Sequence, residues 1–167
     1  MLDALSKVNR KSNMTDIKVL GIGSPFGDDQ AGCIVAERLK QSGLIPYKSS
    51  TILIEAHDRP GVRLLELMSQ ANRVYLIDAI QSGNPPGTIH RFHNEEIFEL
   101  NSMLSTHDMG VAQALALGRS LGELPEDIIL YGIEIEAVEY HTELSERVDW
   151  AINETTILLE QELLNWL

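Results

Sequence analysis

Three residues of this 167-residue chain fall where chemistry could be done. Asp29 closes the glycine-containing run GIGSPFGDD at 21–29, directly after an apolar segment. Asp78 ends the apolar run RVYLID at 73–78, and His107 opens an apolar stretch in STHDMG at 105–110. Two carboxylate oxygens and one imidazole nitrogen form a donor set that suits a divalent borderline metal such as nickel or zinc. A carboxylate closing an apolar strand is costly to desolvate without a partner. An imidazole in the first turn of a helix is held neutral by the helix dipole, and neutral imidazole is the metal-binding form.

Each of the three also has an ordinary use, and sequence alone leaves both open. Asp28 and Asp29 can simply cap the following helix. Asp78 can be a turn aspartate bonded to the next loop. A lone histidine such as His107 is more often structural than a ligand. Glu55, His57 and Asp58 follow another strand and are expected to border the same cleft, whereas His90, His93 and His141 form no cluster and read as surface or loop residues. Cys33 lies inside a helical pattern, which favours burial over nucleophilic work. No G-x-S-x-G elbow and no H-E-x-x-H pair is present.

The elements that must position these residues alternate. Apolar runs at 17–22, 51–56, 73–79 and 128–135 read as buried strands, and 88–92 as a short edge strand. Helical spacing covers 31–41, with Gly43 as its stop, then 61–70, 107–121 and 143–167. The segment 107–121 is apolar nearly all round and predicts a deeply buried helix. Strands alternating with helices predict an α/β fold: one domain, a twisted, mostly parallel sheet with helices on both faces. In such sheets ligands bind beyond the carboxyl ends of the strands, where Asp29, Asp78 and the approach to His107 all fall. The division expected is a flexible tail over 1–15, polar, basic and without apolar periodicity, and a single domain over 16–167.

Composition bounds the function. Lys and Arg number 13 against 25 Asp and Glu, a formal net charge of -12. That field repels nucleic acid and favours basic protein partners or metal cations. Hydrophobic residues make up 44% of the chain, ordinary for a globular domain. A single cysteine excludes an internal disulfide and a Cys-cluster zinc site and suits a reducing compartment, so a cytoplasmic location is expected. No apolar run is long enough to span a membrane. The glycine loop suggests a dinucleotide site, but its third glycine comes one place late for G-x-G-x-x-G, and Asp28 and Asp29 stand where a pyrophosphate would lie.

The segments VLGIGSPFGDDQAG at 19–32, VYLIDAIQSGNPPGTI at 74–89 and STHDMGVAQALALGRSLGELPEDIILYGIEIE at 105–136 resemble the NiFe-hydrogenase maturation proteases, and the likeness runs from about Ile17 to Leu164. The resemblance implies an endopeptidase, aspartic-type by convention, that trims the C-terminal extension of a hydrogenase large-subunit precursor after nickel insertion. It further implies that Asp29, Asp78 and His107 grip a nickel supplied by the substrate, with Asp29 and Asp78 the catalytic candidates and no organic cofactor. Ser24 stands where the family usually has Asn, and EAHDRPG at 55–61 replaces an Asp-Gly-Gly-Thr stretch, with Glu55 in the aspartate's place. Two other functions compete: a nucleotide-binding oxidoreductase built on the glycine loop, and a non-catalytic metal-sensing chaperone for the same precursor.

Overall fold

Alternation along the central strands decides the layering. In a strand, successive side chains point to opposite faces, and strands buried on both faces are apolar throughout. Val19, Tyr75, Ile77, Ile129 and Ile133 are buried in one apolar cluster, while Leu20, Val74, Leu76, Ile128 and Leu130 are buried in another. The computed structural model describes residues 15–46, 51–100, 110–137, 140–141 and 143–167.

Within them five strands, β1 (Thr15–Gly23), β2 (Ile52–Asp58), β3 (Ala71–Ile80), β4 (Ile89–His93) and β5 (Asp127–Glu134), form one sheet in the order β2-β1-β3-β5-β4. The first three and β5 run parallel, and β4 pairs antiparallel with β5 at the edge. Val19 lies opposite Ile54 on one side and Tyr75 on the other, and Tyr75 opposite Ile129. Helices α1 (Ala31–Ser42) and α5 (Glu146–Leu164) cover the first cluster; α2 (Leu64–Met68), α3 (Glu95–Glu99) and α4 (Val111–Leu121) cover the second. This is the α/β architecture expected.

Several boundaries differ for local reasons. The helix expected over 61–70 is a 3-10 turn at Gly61–Arg63 followed by the five-residue α2, because Pro60 and Gly61, at φ 56°, make a turn before any α-helical ladder starts. The last helix begins at Glu146, not 143, since Ser145 is its cap: the Ser145 hydroxyl accepts from the Val148 N–H at 3.4 Å. Gly43, left-handed at φ 69°, ends α1 as its position predicts. Helix α3 was not foreseen.

Over its described part, α4 is not deeply buried. Leu117 is 36% exposed and Leu121 56%, because α4 is an outer layer with solvent behind it. No helix among the described residues is long and apolar enough to cross a membrane.

Candidate functional site at the strand carboxyl ends

Chain order and spatial order part company between β1 and β3. After β1 the chain passes through α1 to β2 on one side, then crosses by way of α2 to β3 on the other. Such a reversal opens a crevice at the carboxyl ends of the two strands. The β1–β3 pairing stops at Gly21 opposite Ile77, although both strands continue.

Three glycines bring the start of α1 down onto this crevice. A Cβ on Gly32 would lie well inside 3.0 Å of the carbonyl oxygens of Ile77 and Ile22; one on Gly21 would strike Gly32, and one on Gly23 would strike Asp29. No side chain other than hydrogen allows that approach. The 3-10 turn at Gly27–Gln30, which carries Asp29, is thereby set beside the end of β3, which carries Asp78.

Asp78 feels both burial and the charge of Asp29. Asp78 keeps some exposed surface as a residue, yet protein surrounds its carboxyl, and that burial pushes its pKa well above the usual carboxylate range. Charge on Asp29 pushes the same way, and a hydrogen bond from the Ala79 N–H opposes both. Asp29 does not cap a helix start: neither the 3-10 turn nor α1 has a side-chain cap hydrogen bond. Asp28 bonds instead to the cap residue of a different helix. Its carboxylate accepts from the Ser145 N–H and the Ser145 hydroxyl, both at 2.8 Å, and so fastens the turn to the entrance of α5.

Cys33 lines the same crevice. Its thiol is half-buried and faces the carbonyl oxygens of His57 (3.5 Å) and Gly21 (3.7 Å). Burial above all pushes its pKa up to about 11, with the charges of Asp78, Asp58 and Asp29 adding to it and the backbone at His57 pulling the other way. It is a suppressed thiol, as its place in the helix suggests.

On the β2 side, His57 Nε2 pairs with Glu55 Oε2 at 3.0 Å, and Asp58 takes two bonds from Arg59, at 2.6 and 3.3 Å. Glu55, His57 and Asp58 lie opposite Leu20, Ile22 and Gly23 of β1, so they flank the strand that leads to Asp29 rather than the one that carries Asp78. The Ser24 hydroxyl is buried with no hydrogen-bond partner among the described residues, while its N–H donates to the Asp29 carbonyl at 3.2 Å. His107 lies outside the described residues. Among the described residues no group of three His, Cys, Asp or Glu side chains could hold a metal.

Two site neighbours escaped the sequence reading. Glu134 ends β5 and is 1% exposed. His90, expected at the surface or in a loop, stands on β4 with its side chain 20% exposed and paired with Glu134 at 3.3 Å. An open groove of about 900 Å³ runs between α2 and α4, lined by Met68, Ala71, Leu121 and Leu124. It lies where β3 begins, at the opposite end of that strand from Asp78.

A protein-family model described as hydrogenase maturation protease matches residues 34–162. The chain belongs to the hydrogenase maturation proteases. It is 33% identical over 136 residues to the hydrogenase 2 maturation protease of Escherichia coli, covering 80% of this chain and 81% of that relative. It is 30% identical over 122 residues to the hydrogenase expression/formation protein HupD of Thiocapsa roseopersicina, covering 71% of this chain and 54% of that relative. The solved hydrogenase maturating endopeptidase HybD from E. coli superposes with a TM-score of 0.72 at 29% identity, over 87% of this chain and 90% of that one. The [NiFe] hydrogenase maturation protease HycI from Thermococcus kodakarensis gives 0.67 at 25% identity, over 96% and 98%. This maturation protease is therefore an endopeptidase, and the crevice holding Asp29 and Asp78 is its candidate active site.

Proposed function

We propose that the protein removes the C-terminal extension of a NiFe-hydrogenase large-subunit precursor after nickel insertion, and that Asp29, Asp78 and His107 grip the nickel the substrate brings. The observation that carries this reading is the Asp29–Asp78 pair. Burial first, and then the charge of Asp29, raise the proton affinity of Asp78, and a divalent cation held by the pair would offset both by displacing the proton. Asp29, on a turn clamped by glycines, and Asp78, on a strand end, are held by backbone rather than by long side chains, which favours fixed geometry.

Asp78, with its proton affinity raised, is suited to exchange a proton with water in the crevice, the task of a general acid or base. The substrate's metal supplies Lewis acidity to the scissile carbonyl or to that water. Asp29 balances charge across the crevice in either case. The dinucleotide reading loses support, since Asp28 and Asp29 occupy the place of a pyrophosphate at the start of α1. The suppressed thiol of Cys33 fits a reducing compartment, and the cytoplasm is the proposed location.

The test is incubation of the purified protein with nickel-loaded and nickel-free precursor, followed by mass spectrometry. Loss of the C-terminal extension from the loaded form alone is the expected result. Binding with no change in precursor mass points to a chaperone and sinks the protease reading.

A further inference from the structure

We propose that Glu134 is a positioning residue for the site: it clamps the loop that leaves β3 and thereby fixes where Asp78 stands. The inference rests on the reading above that Asp78 belongs to the active site.

Asp78 lies on a stretch of strand supported from one side. The β1–β3 pairing ends at Ile77, whereas the β3–β5 pairing continues through Asp78 opposite Gly132 and Ala79 opposite Ile133 to Ile80 opposite Glu134. Three residues of β3, Asp78 to Ile80, therefore take their ladder support from β5. Opposite Asp78, Gly132 offers no side chain to brace against, and the Ile80 side chain lies over it instead. The last rung is then the point on which the position of Asp78 depends.

Glu134 stands in register with Ile80 at that rung, whose hydrogen bond runs from the Ile135 N–H to the Ile80 carbonyl, and its own bonds fasten the loop on either side. Its carboxyl accepts from the Ser82 N–H (2.6 Å), the Gly83 N–H (2.9 Å) and the Ser82 hydroxyl (2.7 Å), and pairs with His90 Nε2 (3.3 Å). Its backbone N–H donates to the Thr88 carbonyl, and its carbonyl accepts from the Gly87 N–H. Alternation puts Glu134 on the face of Ile128 and Leu130, and Asp78 on that of Val74 and Leu76, the same face of the sheet. Gly83, at φ 92°, takes a turn that other residues adopt with strain, which lets two successive N–H groups converge on one carboxyl. Both ends of the 81–88 loop are thus tied to one residue of β5.

A carboxyl at 1% exposure is an expensive way to fill space, since burying a polar group without donors is costly. Here the donors come from the loop beside the catalytic candidate and from a histidine of the neighbouring strand. The geometry assigns this arrangement to holding a reacting group, because displacements of about 1 Å at such a group can cost on the order of a hundredfold in rate.

The experiment compares Glu134→Gln, Ser82→Ala and Leu163→Ala in the full chain. Glu134→Gln keeps the side chain's size but sets an amide N–H₂ against loop donors. Ser82→Ala removes one donor. Leu163, fully buried on α5, is a stability control away from the crevice. Rates on nickel-loaded precursor are taken per folded molecule, with amide hydrogen exchange of residues 78–83 measured in parallel on the free enzyme. The expected result is a drop in kcat of about 10–100-fold for Glu134→Gln with KM unchanged, a smaller drop for Ser82→Ala, and none for Leu163→Ala. Exchange at 78–80 should speed up in the first two and not in the control. If Glu134→Gln matches Leu163→Ala in kcat and in exchange at 78–80, the inference is overturned. If Glu134→Gln does not fold, Ser82→Ala decides, and a normal kcat with normal exchange overturns it. A wild-type enzyme that leaves the precursor uncut defeats the protease reading instead, and the exchange data still show whether Glu134 holds Asp78.

Discussion

Gly32, on the first turn of α1, lies directly against the carbonyl of Ile77, the residue before Asp78; a methyl group there would stand well inside 3.0 Å of that oxygen. This contact joins the two halves of the crevice. Gly32→Ala drives α1 away from the strand ends and with it the turn bearing Asp29. Overpacking against backbone costs about 1–3 kcal/mol and sometimes more. The expected outcome is a lower melting temperature, with processing reduced beyond the loss of folded protein.

Asp29→Asn, Asp78→Asn and His107→Ala each remove one group proposed to hold the substrate's metal. Neither Asp29 nor Asp78 is part of the apolar clusters, so folding should survive. Near-wild-type far-UV spectra with loss of precursor processing are expected for all three. Normal processing by Asp29→Asn and His107→Ala together would sink the metal grip.

Asp78→Asn should also report on the charge it removes. The folded-state pKa of Asp78 lies above its unfolded value, so the folded protein binds this proton more tightly. The favourable contribution is present at acid pH and is lost as pH rises through the folded pKa. Above the ordinary carboxylate range the unfolded wild-type chain gains by ionising freely, which the folded protein resists, and the asparagine variant carries no such penalty. Asp78→Asn is therefore expected to melt a few degrees higher than wild type at neutral pH, the difference shrinking towards pH 4. A gap that does not change between pH 4 and pH 8 in thermal denaturation would contradict the burial of this carboxyl.

Asp28 should behave unlike its neighbour. Its two hydrogen bonds to Ser145 hold the turn to α5 and leave it no part in gripping the cation. Asp28→Ala is expected to cost about 1–2 kcal/mol by chemical denaturation, with the rate per folded molecule kept within a few-fold. Ser145→Ala should do much the same.

Cys33 should be slow to react. A pKa raised from 9.0 to about 11 lowers the thiolate fraction at neutral pH by about a hundredfold. Titration of the native protein with a chromogenic disulfide at pH 7.5 should show a lag that disappears in denaturant. Fast stoichiometric labelling of the native state would show that the thiol is open.

The parallel core was legible because β1, β3 and β5 are apolar on both faces, and strands of that kind declare themselves in a linear reading. That Asp29 and Asp78 fall at one end of the sheet was legible for a related reason: each follows such a run, and the carboxyl ends of parallel strands share one end. Asp28 was not, since its partner Ser145 is 117 residues away and no local pattern links them. Glu134 was hidden by periodicity itself, which placed it among strand residues, while its donors lie 51 and 52 residues earlier. Helix α3 spans five residues, too few for a helical repeat; Asn94 starts it at φ 46°, latched to both backbone groups of Ile128 across 34 residues.

The strand order has a consequence for how the chain comes off the ribosome. The middle strand β3 is complete at Ile80, yet its second neighbour β5 is not finished until Glu134, more than fifty residues later. At about 5–20 residues per second, that interval is roughly 3–11 seconds of synthesis. Throughout it, the row from Val74 to Ile77 has one edge without a partner, an open template for pairing with another nascent chain. The β4 segment cannot shield that edge, because its own place in the sheet is against β5. Overexpression at low temperature, where synthesis and misassociation both slow, is the condition under which this topology should give the most native protein.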